Sequence, residues 1–250
     1  MIKLFRKIRQ NLLLEGKTTK YFKYAVGEIV LVVIGILIAL SINNWNQERL
    51  NGFEKRELLS KLYIEFKSNK NVVANFRIAE ERAINSSMEL MSLIGASEKE
   101  LLRHNLDNLL FQSFPSNELA FADNAVNGIV QNGRLNLFEN DSITSLLNHW
   151  NSLSEIRKIR FEKLDAWNNE HFLPFLLSHI SFKEMDSNAH YKWAGTSKVK
   201  PSYYPLFQKV EFENLLDNAL WLHQQIIERL DETDLLIEEV IQATKPYSND

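Results

Sequence analysis

Residues 24–46 read YAVGEIVLVVIGILIALSINNWN. Across residues 25–42 the single charge is Glu28. As an α-helix those residues extend about 27 Å, close to the ~30 Å hydrocarbon thickness of a bilayer. Tyr21, Phe22 and Tyr24 flank one end and Trp45 the other, as amphipathic rings do at the headgroup level. Asn43, Asn44 and Asn46 mark the exit into water. Three structures are compatible with such a run. A buried core helix explains the apolarity but not the aromatic flanks. A cleaved signal peptide fits the apolar residues 29–40 and the small pair Ala39 and Ser41, but its lead is long and contains Glu28. A transmembrane helix over 24–46 accounts for all of these features and is the expectation.

Upstream, residues 1–23 carry Lys3, Arg6, Lys7, Arg9, Lys17, Lys20 and Lys23 against Glu15, a balance of +6. The net charge of the whole chain is −3, so the remainder holds −9. A basic arm before an apolar run suits a membrane surface, and the lipid bilayer is the expected partner. The acidic remainder argues against nucleic acid, which needs a basic face. Five basic residues (Arg49, Lys55, Arg56, Lys61, Lys67) follow the span within the same distance that holds seven before it. That bias places residues 1–23 in the cytoplasm and the domain, residues 47–250, outside it. In a two-membrane bacterium this means the inner membrane and the periplasm.

At 100° per residue, Glu28, Gly35, Ala39 and Asn46 fall close to one line on the helix. Gly35 and Ala39 form a small-xxx-small pair that permits close helix approach. This face is the expected packing surface for a second copy or another membrane protein. Glu28 has a second reading, as a headgroup-level carboxylate paired with a nearby Lys. A third makes it the working carboxylate of an energised complex.

The block KYFKYAVGEIVLVVIGILIALSINNWNQER (Lys20 to Arg49), with MIKLFRKIRQNLLLEGKTTK before it, resembles the opening of an uncharacterised family. Its members are single-span membrane proteins of Bacteroidetes-type bacteria, classed as a domain of unknown function. Residues 124–150, NAVNGIVQNGRLNLFENDSITSLLNHW, resemble the segment with a Gly turn and a second amphipathic helix in such proteins. The resemblance implies an inner-membrane location and an extracytoplasmic helical domain. It implies no activity.

Beyond the span the sequence is all-α, with few Gly and Pro (8 and 5) to punctuate it. The spacing of Leu59, Phe66 and Val73, of Leu62 and Phe76, and of Ile84 and Met91 predicts a long helix over residues 53–94. Asn69 and Glu80 interrupt its seam. Gly95 ends it, and Ser97 with Glu100 forms a capping box for a helix reaching Phe111. Pro115 opens an irregular stretch. Asp123 caps a short helix through Val130, and Gly133 stops it. Leu135 and Leu137 tuck a connector onto the core. Asp141 or Ser142 starts a helix whose apolar face holds Ile143, Leu146, Trp150, Leu153, Leu164 and Trp167; Pro174 kinks or ends it. The mixed run 155–165 reads as a solvated face. Residues 183–206 form the longest loop, its aromatics either pinned to the core or offered to a partner. Residues 212–243 make the last helix, stopped at Lys245-Pro246. The expected architecture is one transmembrane helix followed by an antiparallel bundle of about four or five helices.

No catalytic constellation is legible. There are no cysteines, which removes disulfides, thiolate metal sites and thiol catalysis. Gly16-Lys17-Thr18 lacks the first glycine of a phosphate loop, because position 11 is Asn11. No G-x-S-x-G, H-x-x-x-H or E-x-x-H occurs. His104, His149, His171, His179, His190 and His223 are scattered, and each reads as a surface or hydrogen-bonded residue. No catalytic, cofactor or metal residue is assigned. The expected role is non-enzymatic: an interaction, scaffold or sensor component of the cell envelope. The alternatives are an energised complex using Glu28 and an envelope enzyme whose site is assembled from distant helices.

Overall fold

A computed structural model describes residues 18–114, 119–138, 142–189, 191, 193, 195–199 and 202–245, without the side chains of 18–21, 24 and 189. The expectations for the arm up to Lys17, for Pro115, Asp141, His190 and Pro246, and for the rings of Tyr21 and Tyr24 lie outside the described residues. Those residues are helical, with no strand among them. The chain divides into two units, Met1–Arg56 and Glu57–Asp250. Helix α1, Thr18–Ser92, passes through both.

In the first unit, none of the apolar 18-residue window is buried. It is the one helix among the described residues long and apolar enough to cross a membrane. Inside the window Ser41 Oγ donates to the Leu37 carbonyl at 2.9 Å, which satisfies its hydroxyl within the helix. Just beyond it, the Arg49 guanidinium lies 5.9 Å from both the Trp45 and the Phe53 ring.

The second unit is built on three long helices: the part of α1 from Glu57, α5 (Ser142–Trp167) and α9 (Val210–Thr244). Between α1 and α5 come α2 (Glu98–Leu101), α3 (Leu106–Gln112) and α4 (Asn124–Val130). Between α5 and α9 come α6 (Leu173–Leu177), α7 (Phe182–Met185) and α8 (Tyr204–Phe207). The expected all-α class holds, with three long helices and several short ones in place of a more even set. Contacts fix the directions. Arg77 pairs with Asp231 at 2.7 Å and Lys70 with Glu238, so α1 and α9 are antiparallel. Arg157 reaches Thr233 and the Trp167 indole reaches the Leu215 carbonyl, so α5 and α9 are antiparallel too. Phe66 meets Trp150 and Phe76 meets Phe161, so α1 and α5 are parallel neighbours. The short helices bring the chain back to make that possible.

Each long helix presents a heptad seam. On α1 it runs Leu59, Leu62, Phe66, Asn69, Val73, Phe76, Glu80, Ala83, Ser87 and Leu90, all buried. Ile84 and Met91, expected in this face, are half-buried one step outside it. Asn69 and Glu80 do not break the seam. They stay inside it because each finds a buried partner. Asn69 clamps Ala122, donating from Nδ2 to its carbonyl at 2.8 Å and accepting from its N–H at 2.9 Å. One turn earlier, Glu65 accepts from the N–H groups of Ala125 and Val126 at 2.8 and 3.3 Å. Glu65 therefore caps α4. Asp123, the expected cap, makes no side-chain bond there. The carboxylate from α1 takes the orphan donors of the first turn and also meets the positive end of the helix dipole.

Three other boundaries depart from expectation. The helix expected from Ser97 to Phe111 is broken into α2 and α3. Ser97 caps α2 as read, but Asn105 caps a new start by accepting from the Asn108 N–H at 3.1 Å. α5 ends at Trp167, short of Pro174. It loosens into a π-helical turn, Asn168–Phe172, and Pro174 sits in the first turn of α6, where its missing N–H costs nothing. The loop 183–206 contains α7, a 3-10 turn (Asp186–Ala189) and the start of α8. Its aromatics divide. Phe182 and Tyr203 pack on the core, while Tyr191 and Trp193 stack on each other at 4.5 Å and stay exposed.

Candidate functional site

The face expected to pack in the membrane is open in the single chain. Gly35, Ala39 and Asn46 are exposed, Glu28 is half-buried, and a Cβ added at Gly35 would meet nothing within 4 Å. Asn46 Oδ1 accepts from Arg49 at 3.3 Å. Trp45, the expected interfacial anchor, is exposed.

In the helical unit, side chains the sequence reading passed over come together. Glu80 of α1 and His223 of α9 both occupy seam positions. His223 Nδ1 donates to Glu80 Oε2 at 2.7 Å, and both side chains are 1% exposed. Arg157 of α5 lies in the run expected to be solvated, yet is 3% exposed. It falls four residues after Leu153 and seven before Leu164, on the apolar line of the helix. Its neighbours Glu155, Lys158, Glu162 and Asp165 are exposed, as the run predicts.

Among the described residues Arg157 has no acidic partner. Its Nη1 donates to Thr233 Oγ1 at 3.1 Å. Its guanidinium lies 4.6 Å from the Phe121 ring centroid and 4.7 Å from that of Trp150. Burial pushes the group down to about 10, which leaves it charged at neutral pH. A drop of that size corresponds to on the order of 3 kcal/mol. The two rings and the hydroxyl offset it in part, at roughly 0.5–2 kcal/mol per cation–π contact. Among the described residues, four buried side-chain polar atoms have no hydrogen-bond partner: Glu80 Oε1, Ser87 Oγ, Arg157 Nη2 and His223 Nε2. Such atoms are uncommon in folded chains.

Glu80 and Arg157 both line a cavity of about 450 Å³ on the α5 side of the unit. Its apolar wall is Phe76, Leu119, Phe121, Phe161 and Leu164. Lys158, Glu162 and Asp165 stand on its rim. The size and the apolar lining with a few polar groups are those of a small-molecule site. Among the described residues no group of three His, Asp or Glu side chains is placed to hold a metal.

A second titratable pair lies away from this cavity. Tyr203 donates to Asp107 Oδ1. Burial raises the Asp107 carboxyl above its ordinary range, and the Tyr203 bond pulls it partly back. Burial and the Asp107 charge push the Tyr203 phenol up. A carboxyl raised on folding stabilises at low pH, and that contribution is lost as pH climbs through its folded value. Tyr203→Phe removes the compensating bond. The variant is expected to unfold about 1–2 kcal/mol more easily at pH 7, and by less below pH ~3.5, where Asp107 is protonated in both states. Thermal melts of both proteins across that range measure the difference.

Residues 28–96 match a family of unknown function, DUF6090. The matched segment contains Glu65 and the seam residues Asn69 and Glu80 of α1, and ends just after the Gly95 turn; Arg157 and His223 lie beyond it. It agrees with the resemblance to an uncharacterised domain and extends further along α1 than the residues on which that resemblance rested. No curated protein and no solved structure matches the chain.

Proposed function

We propose that this chain is an anchored component of a bacterial inner membrane, with its N-terminus in the cytoplasm and its helical unit on the outer side. Its role is non-enzymatic, as an interaction, scaffold or sensor protein of the envelope. The supporting observation is the apolar window of α1, entirely unburied, following a basic arm. Exposed to water, that much apolar surface is unfavourable at roughly 25 cal/mol per Å², and lipid removes the penalty. The face bearing Gly35 and Ala39 is then free to pack on a second copy or another membrane protein.

The test is fractionation together with a topology reporter. The intact chain is expected to stay in membranes through alkaline extraction. A reporter fused after Asp250 is expected to be active only outside the cytoplasm. Ile34→Arg combined with Leu37→Arg adds about 2.5–3.5 kcal/mol of insertion cost per site and is expected to release the protein. Wild-type chain in the soluble fraction would sink the reading, and a cytoplasmic reporter would reverse the orientation. Cysteine crosslinking through Gly35→Cys tests the packing face. A second reading, an envelope enzyme, draws on the cavity lined by Glu80, Arg157, Lys158, Glu162 and Asp165.

A further inference from the structure

A second cavity of the helical unit, of about 350 Å³, is lined from α2, α3 and the start of α8. Its apolar wall is Leu101, Leu102, Leu106 and the ring of Tyr204. Leu102 and Tyr204 are 82% and 41% exposed, so the wall leaves apolar surface in water. Glu98, His104, Asp107 and Tyr203 supply its titratable groups. Among the described residues no Lys or Arg lines it. The imidazole of His104 is taken by Glu89, which is not part of the wall, through Nδ1 at 3.1 Å. The two carboxylates therefore set the sign of the site.

Asp107 meets this cavity without a counter-charge. The residue is half-buried, and its Oδ1 accepts the Tyr203 hydroxyl. Its Oδ2 bonds to none of the described residues and is not among the sealed, unpartnered atoms, so it can be reached from the cavity that Asp107 lines. Burial, and to a smaller degree the Glu184 charge, hold the carboxyl above its ordinary range, and no cation among the described residues offsets them. The Tyr203 phenol is pushed up, so at neutral pH it keeps its proton and stays on Oδ1 as a donor. Oδ2 is the acceptor left to a ligand. An anion is repelled there by Asp107 and Glu98. A neutral alcohol can donate to Oδ2 but leaves the charge in place. An ammonium group donates and neutralises at once.

We propose that this cavity binds a small primary alkylammonium cation, its head on Asp107 Oδ2 and its hydrocarbon body against Leu101, Leu102 and Tyr204. The Tyr203 hydroxyl holds the carboxylate in place for that contact, and the tyrosine rings of the lining favour a cation at their faces. The hydrocarbon body covers wall surface that water otherwise meets, at roughly 25 cal/mol per Å² of apolar area. The cavity lies at the lower end of the range for small-molecule sites, which suits an amine of a few carbons rather than a larger ligand. The inference goes beyond the anchored-scaffold reading and is independent of which side of the membrane the unit occupies.

The test is calorimetric titration of the full chain in mild detergent at pH 7 with pentylammonium, 1-pentanol and pentanoate, each corrected for its heat of transfer into protein-free detergent. Pentylammonium is expected to bind saturably, and the alcohol and the carboxylate at least about tenfold more weakly. Asp107→Asn keeps an acceptor for Tyr203 and removes the charge. It is expected to bind pentylammonium and pentanol alike. Glu162→Gln, on the rim of the cavity beside α5, is expected to bind pentylammonium as wild type does. Loss of binding in Glu162→Gln but not in Asp107→Asn would place the amine in that other cavity and overturn the proposal. Absence of saturable pentylammonium binding up to about 10 mM overturns it too, as does equal affinity for amine and alcohol. The three ligands are compared on wild-type protein, so the result does not depend on the variants folding.

Discussion

Glu80→Ala is expected to destabilise the helical unit by about 3–5 kcal/mol, because it leaves His223 buried in the seam without its partner. His223 is fully buried and Glu80 nearly so, so water cannot replace the lost bond. For a unit of this size the change corresponds to a fall in Tm on the order of 10 °C. Glu80→Gln keeps an acceptor for His223 Nδ1 and is expected to cost only about 1–2 kcal/mol. Replacing both Glu80 and His223 with Leu removes both polar groups from the seam. The double variant is expected to recover most of the loss, since an apolar pair of similar volume satisfies the same packing. Circular-dichroism melts of the intact chain in detergent, arranged as a double-mutant cycle, measure the coupling. A Glu80→Ala variant within about 1 kcal/mol of wild type would show that the pair is not closed to water.

Trp150→Ala carries the second large effect, expected at about 4–5 kcal/mol. The indole packs edge to face on Phe66 at 4.7 Å and on Phe121 at 5.2 Å. It also lies 4.7 Å from the Arg157 guanidinium. Truncation opens a void in the core between α1, α5 and α9 and takes away one of the two rings against the buried cation. Trp193→Ala is the matched control. That indole is exposed and stacks on Tyr191, so its loss is expected to stay within about 0.5 kcal/mol. Hydrogen exchange of α5 amides gives a second readout, with protection falling in Trp150→Ala and unchanged in Trp193→Ala. Equal cost for the two tryptophans would contradict the assignment of the core.

These outcomes hinge on residues that sequence periodicity treats as exceptions. Arg157 lies amid charged neighbours, and composition alone marks that run as solvated. Its position on the Trp150, Leu153 and Leu164 line was the available signal. His223 offered the same kind of signal, placed among Ala219, Leu222, Ile226 and Leu230. Register shows where a polar residue points, but not which polar residue on another helix meets it. That pairing depends on helix direction and stagger, and both follow from connections that short helices make.

Local chemistry alone determined the long apolar helix, the all-α class, the Gly95 stop and the Ser97 cap, since each depends on residues within a turn or two. It also placed α9, whose 3.6-residue pattern is continuous. Tertiary structure decided the rest: the parallel setting of α1 and α5, the capping of α4 by Glu65 rather than Asp123, the retention of Asn69 and Glu80 in the seam, and the burial of Arg157 against Thr233. Each of these joins residues more than fifty positions apart in the chain. A buried polar group is tolerated only where a distant partner meets it, and no local pattern encodes that meeting.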